Sequence, residues 1–317
     1  MSLVNVDVTL RDGGYRNGFG FGLDYALAHA KLSVTGGVDW VEIAYRNGPL
    51  QRTPELGLTG RGEDDYISAI AEAVGPEHVG LMLHPNNVDE DDISAMYRAG
   101  ARLLRICTPA HVPEQAMACV RQAKSVGFTV CLHITRVSQV ATARVVEVVA
   151  DAAEAAADVV YLADSNGSMM PAETAALVAR CREAVSCELG LHSHNNLGLA
   201  MSNAIAAVQA GATWIDSSLL GMGKGPGNLV AEQWLAYLNR VGPVERYDLG
   251  TMLNLAQLLG RTVAEAAPRQ SPLDLVLGYF DLPVEARGDI AHDDHRQAVH
   301  AAESLSWGHV LAGAVAG

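Results

Sequence analysis

Basic residues and cysteines are scarce in this chain. Lysine and arginine number 22 against 36 aspartates and glutamates, which gives a formal net charge of −14. Nucleic-acid binding depends on clustered basic side chains, so this balance argues against a nucleic-acid partner. The apolar runs are also short, and none of them is long enough to cross a bilayer. We therefore expect no membrane association.

The five cysteines are odd in number and form no C-x-x-C pair. Most of them lie inside apolar runs, as small buried hydrophobic residues do. This distribution argues against both a disulfide framework and a zinc–thiolate site. Polar residues interrupt the N-terminal apolar run, so no secretory signal is predicted. The expected location is the cytoplasm.

Short apolar runs alternate with longer helical patterns through the first 240 or so residues. The runs are Leu3–Leu10, Trp40–Ala44, Val79–Leu83, Leu103–Cys107, Thr129–Ile134, Val159–Leu162, Leu189–His192 and Trp214–Leu219. Apolar strands that alternate with helices predict a parallel sheet covered on both faces. Eight repeats predict an α/β fold, a (β/α)₈ or TIM barrel, over residues 1–242. An open doubly wound sheet is the alternative, although no G-x-G-x-x-G follows the first strand.

The pattern changes after Gly242 and predicts a helical C-terminal extension over residues 243–317. Helices are predicted at Tyr247–Ala267 and at Ile290–Leu305, and Pro272–Gly278 is predicted to be the start of another helix. This extension has no strand signal. We expect it to pack on the barrel or to mediate dimerisation, and we expect a homo-oligomer.

Polar residues follow or lie within every predicted strand. Barrel enzymes carry their chemistry at the C-terminal ends of the strands, where the strand-to-helix loops meet. The candidate residues in chain order are Arg11, Asp12, Glu42, Tyr45, His84, Arg105, His133, Ser165, His192, His194 and Asn228. A purely structural barrel has no need for such a ring, so we expect an active site at this rim.

The stretch LHSHNN, residues 191–196, is the sharpest element. His192 and His194 are two residues apart, so their side chains share one face of a strand. Two imidazoles and the Asp12 carboxylate would form a mixed site for a divalent cation. Such ligands suit Mn²⁺ or Mg²⁺ with open positions for substrate, and they leave Zn²⁺ and Fe²⁺ open. The alternative is a pair of surface histidines.

Arg11 beside a metal carboxylate has two interpretations. It can be an ion pair that holds Asp12, or a fixed cation for negative charge that develops on a substrate oxygen. The loop GMGKGPGN at residues 221–228 allows backbone to approach a ligand closely, because glycine has no side chain. Asn228 at its end can add an oxygen ligand.

With TLRDG, HSHNN and GMGKGPGN in this order, the chain resembles the metal-dependent aldolase/lyase barrels related to 3-hydroxy-3-methylglutaryl-CoA lyase. It is most similar to the 4-hydroxy-2-oxovalerate aldolase branch, over roughly residues 4–240. The resemblance implies that Asp12, His192, His194 and Asn228 bind the metal. It also implies that Arg11 stabilises an enolate oxygen and that Ser165 binds the carboxylate of a keto acid.

The predicted function is a divalent-metal aldolase that makes or cleaves a C–C bond between a pyruvate-like 2-oxo acid enolate and an aldehyde. The predicted catalytic residues are Arg11, Tyr15 and Glu42. Predicted substrate contacts, besides Arg11 and Ser165, are Tyr45, His84, Arg105 and His133. Glu42 and Arg105 could equally form an ion pair inside the barrel.

Tyr15 departs from the family pattern, because the aldolases carry a catalytic histidine shortly after the Arg-Asp pair. A phenol has a pKa near 10, so Tyr15 would need a neighbouring cation to act as a base. Otherwise it would act as an acid or hydrogen-bond donor, or only shape the pocket.

Two other functions remain open. A Claisen-type synthase or lyase acting on an acyl-CoA and a 2-oxo acid would share the metal site. A non-catalytic assembly subunit would not need these residues. The segment after Gly242 also departs from the communication domain that docks a dehydrogenase in the aldolases, so the resemblance leaves that partnership open.

Overall fold

The computed structural model describes residues 3–50, 55–111 and 113–315, with side chains as far as residue 306. Residues 1–2 of the predicted barrel domain and residues 316–317 of the predicted extension lie outside this range. Eight parallel strands close into a barrel in which β8 pairs with β1. The strands are β1 Val4–Asp7, β2 Trp40–Tyr45, β3 Val79–Leu83, β4 Leu103–Pro109, β5 Thr129–Thr135, β6 Val159–Asp164, β7 Glu188–Ser193 and β8 Trp214–Ser217. The predicted (β/α)₈ barrel is confirmed, and the open sheet is wrong.

Helices follow the strands and cover the outside of the barrel. They are α1 Leu23–Thr35, α2 Leu58–Arg61, α3 Asp64–Val74, α4 Glu90–Arg98, α5 Glu114–Val126, α6 Thr142–Glu154, α7 Pro171–Ala184, α8 Ala200–Gln209 and α9 Ala231–Val241. Glycine ends several of them. Gly127, for example, follows α5 with φ of 113°, a conformation that costs glycine little.

An apolar layer covers the outside of the strands, whereas the barrel interior contains both apolar and charged residues. Outward-facing residues such as Leu81 and Ile106 pack with helix residues such as Ile70 in one large buried cluster. Each buried aliphatic side chain contributes about 1.5–3 kcal/mol to folding. Inside the barrel, a smaller apolar cluster includes Val6 and Trp214. Several buried interior positions are instead charged, which places ionic groups within the barrel.

The first strand is shorter than predicted. The sequence predicted a strand over Leu3–Leu10, but β1 ends at Asp7. The Asp7 carboxylate accepts the backbone N–H of Thr9 at 2.7 Å, and Asp12 N–H donates to the Val8 carbonyl at 2.7 Å. These bonds turn the chain, so that Arg11 and Asp12 lie in a turn beyond the strand.

The predicted helical extension is confirmed, with α10 at Leu249–Thr262, α11 at Pro272–Tyr279 and α12 at His295–Val315. Helix α10 buries Met252, Leu255 and Leu259 in the main barrel cluster. Helices α11 and α12 share a separate small apolar cluster. The division of the chain at Gly242 stays a prediction.

Four helix boundaries in the extension differ from the expectation: α10 ends at Thr262 rather than Ala267, α12 ends at Val315 rather than Leu305, and both helices begin later than predicted. Helix α10 begins two residues later than predicted, because the Asp248 side chain caps the N–H of Thr251. Helix α12 begins at His295 rather than Ile290, where the Asp294 carboxylate accepts the N–H of Arg296 at 2.8 Å. Among the described residues, none of the helices combines the length and apolarity needed to span a bilayer.

Residues 270–290, here called the cap segment, lie against the loops that follow strands β5 to β8. Asp281 Oδ1 accepts hydrogen bonds from Ser138 Oγ at 2.9 Å, Asn166 Nδ2 at 2.8 Å and Ser168 Oγ at 2.7 Å. The carboxylate of Glu285 lies 2.6 Å from Lys224 Nζ. The cap segment is thus bound to the rim by directed polar contacts.

Candidate metal and substrate site

Three predicted metal ligands come together at the rim. The ligand atoms of Asp12, His192 and His194 all lie within 4.8 Å of one another, and the three side chains are buried. His192 lies in β7 and His194 follows it, while Asp12 lies in the turn after β1. Strand β8 pairs with both β7 and β1, so these ends are close in space. Within the described part of the chain, this is the only cluster of three or more such groups.

The two histidines are oriented by oxygen atoms behind them. His192 Nδ1 lies 2.9 Å from Asp216 Oδ2, and His194 Nδ1 lies 3.3 Å from the Lys224 carbonyl. If each Nδ1–H donates to its oxygen, both Nε2 atoms carry lone pairs. These Nε2 atoms are 3.3 Å apart. Facing lone pairs repel each other, and a cation bound by both removes that repulsion.

Charge and burial keep two of the ligands, His194 and Asp12, in their metal-binding forms. Burial lowers the pKa of His194 to about 4, so its imidazole is neutral near pH 7. Burial also raises the pKa of Asp12, but Arg11 and the two histidines outweigh it and hold that pKa well below its usual range. Asp12 is therefore a carboxylate.

Asn228 supplies an unused oxygen beside this cluster. Its Nδ2 donates to Asp12 Oδ2 at 2.7 Å. Its Oδ1 is buried and has no hydrogen-bond partner among the described residues. A buried polar atom without a partner is costly, and a cation would satisfy it. Two imidazole nitrogens, a carboxylate and an amide oxygen together fit a divalent metal such as Mn²⁺.

The glycine-rich loop permits this arrangement through close packing. A Cβ on Gly223 would lie 2.4 Å from Asn228 Nδ2 and 2.8 Å from Asp12 Oδ2. Gly227 has φ of 88°, and a Cβ there would lie 2.0 Å from the Gly221 carbonyl oxygen. Side chains at these two positions would displace the metal ligands or the loop.

Arg11 is held by two carboxylates and keeps one donor group available. Its Nε donates to Glu42 Oε2 at 2.5 Å, and its Nη1 donates to Asp12 Oδ1 at 2.6 Å. Its Nη2 is buried without a hydrogen-bond partner in the described part of the chain. The guanidinium is therefore fixed next to the metal ligands with a donor to spare.

Glu42 and Arg105 form an ion pair in the barrel interior. Arg105 Nη1 donates to Glu42 Oε1 at 3.1 Å, and its Nη2 donates to Asp216 Oδ2 at 2.6 Å. The Arg105 guanidinium also lies 4.2 Å from the centroid of the Tyr161 ring. Glu42 and Arg105 have no exposed surface. This placement favours the ion-pair interpretation over direct contact with substrate.

Tyr15, Tyr45 and His84 form an aromatic group on one side of Arg11. The Tyr15 and Tyr45 hydroxyls are 3.2 Å apart, and Tyr45 stacks on His84 with ring centroids 5.6 Å apart. Tyr15 keeps 36% of its surface exposed, but desolvation of its phenol group, with Tyr45 next to it, raises its pKa well above the usual range, so the phenol stays protonated. This state favours a hydrogen-bond donor over a base. Burial, with Arg11 nearby, lowers the pKa of His84 to about 4.

The remaining predicted substrate contacts, Ser165 and His133, have different partners. Ser165 follows β6, and its Oγ accepts the N–H of Arg136 at 2.9 Å. His133 is buried, with Nδ1 3.1 Å from Arg105 Nη2 and its ring centroid 5.2 Å from that of His192. In the described part of the chain, Ser165 makes no hydrogen bond to a metal ligand. Its predicted role is therefore contact with the substrate and not with the metal ligands.

The sequence assigned no role to three contributors to the site, although Asp216 is one of the polar residues at the rim. Asp216 orients His192, the carbonyl of Lys224 faces His194, and the cap segment contacts the rim loops. A charged residue inside the short strand Trp214–Ser217 was the available signal for Asp216. No sequence pattern marked the Lys224 carbonyl or the cap contacts.

Comparisons with known proteins agree with this architecture. The chain is 31% identical over 283 residues to 4-hydroxy-2-oxovalerate aldolase from Thermus thermophilus. The alignment covers 87% of this chain and 80% of the relative. It is 30% identical over 277 residues to the enzyme of that name from Brevibacillus brevis, covering 87% of this chain and 82% of the relative.

Solved structures share the fold. The N-terminal domain of a putative aldolase from Bacteroides vulgatus superposes with a TM-score of 0.84 at 24% identity, covering 94% of this chain and all of that one. A Bacillus subtilis HMG-CoA lyase gives a TM-score of 0.71 at 16% identity, covering 85% of this chain and 96% of the other. The HMGL-like family model matches residues 3–259. The chain therefore belongs to the HMGL-like family and is a carbon–carbon lyase of the aldolase type.

Proposed function

We propose that this enzyme uses a divalent metal, Mn²⁺ or Mg²⁺, to make or cleave a C–C bond between a pyruvate-like 2-oxo acid and an aldehyde. The observation that carries the proposal is the 3.3 Å approach of the Nε2 atoms of His192 and His194. Asp12 lies beside them in the same buried cluster. The aldolase relatives, at about 30% identity over most of the chain, support this reaction class.

Asp12, His192, His194 and Asn228 would hold the metal. The bound metal would supply Lewis-acid polarisation of the keto oxygen of the 2-oxo acid. Arg11 would donate its unpaired Nη2–H to the same oxygen as that oxygen gains negative charge. Glu42 holds Arg11 in place through Nε, so we assign it a positioning role.

Tyr15 would act as a hydrogen-bond donor at the aldehyde oxygen. Because its phenol is protonated, it would donate to that oxygen as it gains negative charge in condensation and to the same oxygen of the aldol in cleavage, while the hydroxyl proton itself is exchanged with water. Tyr45 and His84 would contact the acceptor beside it. Ser165 would donate its hydroxyl hydrogen to the carboxylate of the keto acid, because Oγ already accepts a bond from Arg136.

The acyl-CoA alternative has weaker support. Its solved relatives share 16–19% identity with this chain, which indicates the fold only. The non-catalytic alternative does not explain a buried cluster of ligands with an unpartnered amide oxygen.

The test is a condensation assay with purified full-length enzyme. Pyruvate or 2-oxobutanoate is offered with a panel of aldehydes and with Mn²⁺, Mg²⁺, Co²⁺ or Zn²⁺, and products are scored by mass spectrometry. Metal-dependent formation of a 4-hydroxy-2-oxo acid is the expected result. Consumption of acetyl-CoA without any aldol product would support the Claisen-type reaction instead. No product under any condition would overturn the proposal.

A further inference from the structure

Six buried charged or ligating groups form a continuous chain across the barrel interior. In order of contact they are Asp12, Arg11, Glu42, Arg105, Asp216 and His192. Each neighbouring pair is 2.5–3.1 Å apart. His192 and His194 then approach each other within the same cluster that contains Asp12, so the chain of contacts begins and ends at the metal site.

Arg105 is the central link in this chain. Its guanidinium uses Nη1 for Glu42 and Nη2 for Asp216, two carboxylates carried by different strands. Each carboxylate uses its contact with a second group to orient a site residue. Glu42 holds Arg11 through Nε, and Asp216 faces Nδ1 of His192. A planar fork can bridge two carboxylates in fixed directions, whereas an ammonium group cannot.

We infer that Arg105 is a positioning residue that couples the metal-binding side of the site to the enolate-stabilising side. This inference rests on the proposed function. Arg105 has no exposed surface, so it acts through Asp216 and Glu42 rather than on substrate. Without Arg105, two buried carboxylates would each lose a cationic partner, which is strongly unfavourable, and both would move or recruit water. His192 and Arg11 would then lose their fixed orientations together.

The experiment compares Arg105→Met and Arg105→Lys with the wild-type enzyme. Arg102→Met is the matched control, because Arg102 also lies over an aromatic ring but at the start of β4, away from the metal ligands. Calorimetry gives the Kd for Mn²⁺, and deuterium exchange at C3 of pyruvate gives kcat and KM. Thermal denaturation of the metal-free protein gives Tm as the structural readout.

We expect Arg105→Met to weaken Mn²⁺ binding about 10-fold, because it displaces Asp216, and loss of a direct partner of a metal ligand usually costs about 10- to 100-fold. The same variant should lower kcat for exchange even at saturating Mn²⁺, because Arg11 is displaced as well. Arg105→Lys should restore part of either the Mn²⁺ affinity or kcat, but not both, because one ammonium group can pair with only one of the two carboxylates. Arg102→Met should leave both measurements unchanged.

A double-mutant comparison separates positioning from a general loss of stability. If Arg105 affects metal binding through Asp216, the double variant with Asp216→Asn and Arg105→Met should bind Mn²⁺ less than threefold more weakly than Asp216→Asn alone. Glu42→Gln should lower kcat while leaving the Kd for Mn²⁺ within threefold. This pair of variants also tests the coupling if Arg105→Met does not fold.

A folded Arg105→Met enzyme with unchanged Mn²⁺ affinity and kcat would overturn the inference. The inference would also be overturned if the double variant lost Mn²⁺ affinity by the product of the losses that Arg105→Met and Asp216→Asn each cause alone. If wild-type enzyme neither binds Mn²⁺ nor exchanges pyruvate protons, the proposed function itself fails, and the two failures are therefore distinguishable.

Discussion

The Nε2 atoms of His192 and His194 face each other at 3.3 Å. They do so because both rings are turned by oxygen acceptors at Nδ1, the Asp216 carboxylate and the Lys224 carbonyl. A metal ligand that donates its second ring nitrogen to an oxygen has a fixed tautomer and a more basic metal-binding nitrogen. The site is thus organised by protein groups that lie behind the ligands.

Gly223 leaves room for this organisation, and Gly223→Ala should disturb it. The new Cβ would lie 2.4 Å from Asn228 Nδ2, so Asn228 and Asp12 would have to move. We expect Mn²⁺ affinity to fall about 10-fold or more by calorimetry. The control is Gly288→Ala, where no atom lies within 4 Å of the added Cβ. Equal Mn²⁺ affinities for the two variants would contradict the close packing.

Tyr15→Phe separates the two halves of the proposed reaction. If the Tyr15 hydroxyl serves the aldehyde oxygen, its loss should slow C–C cleavage about 100-fold. Proton exchange at C3 of pyruvate should change less than threefold, since no aldehyde takes part. The exposed Tyr279→Phe is the control. Equal losses in both assays would show that Tyr15 acts on the enolate or only on the shape of the pocket.

His84 should make stability depend on pH. Its pKa is lowered by burial to about 4 in the folded protein, whereas an unfolded histidine titrates near 6.5. The folded state therefore binds fewer protons than the unfolded state between these values. The contribution of His84 to the free energy of unfolding is therefore largest above pH 6.5 and falls as the pH drops towards 4.

The measurement is urea unfolding of the metal-free protein at pH 7, 6 and 5. His84→Asn should reduce the slope of unfolding free energy by up to about 1.4 kcal/mol per pH unit, the value for one proton. The exposed His300→Asn should keep the wild-type slope. A slope that is unchanged in His84→Asn would refute the assignment.

Asp281 should determine how firmly the cap segment is held. Asp281→Ala removes three hydrogen bonds to Oδ1 and leaves a non-glycine residue at φ of 52°. Backbone amides of residues 272–282 should exchange with deuterium faster in this variant, as seen by mass spectrometry. Asp281→Asn keeps an acceptor and tolerates this conformation, so its exchange should stay near wild type. Unchanged exchange in Asp281→Ala would show that other contacts hold the cap.

The sequence predicted the features that depend on local pattern. Alternation of apolar runs and helices predicted the barrel, and the H-x-H spacing predicted that His192 and His194 point to the same side where β7 ends. Both arguments use only neighbouring residues and the geometry of a strand. Strand ends were less certain, because the side-chain bond from Asp7 to Thr9 ends β1 inside an apolar run.

Contacts between distant residues could not be predicted in the same way. Arg105 and Asp216 are 111 residues apart, and nothing in either stretch reveals their 2.6 Å contact. For that reason Arg105 was predicted at the substrate, whereas it lies buried in the interior. Asp281 meets Ser168 across 113 residues, after a helix whose position on the rim depends on tertiary packing.

The most direct test of the account is deuterium exchange at C3 of pyruvate, followed by NMR in D₂O. Wild-type enzyme freed of metal with a chelator should not exchange, and Mn²⁺ should restore exchange in proportion to the occupied sites. His192→Ala and His194→Ala should stay inactive with Mn²⁺, while His78→Ala, on the loop before β3, should behave like wild type. Metal-independent exchange by the wild type, or Mn²⁺-dependent exchange by both histidine variants at the wild-type rate, would contradict the metal site.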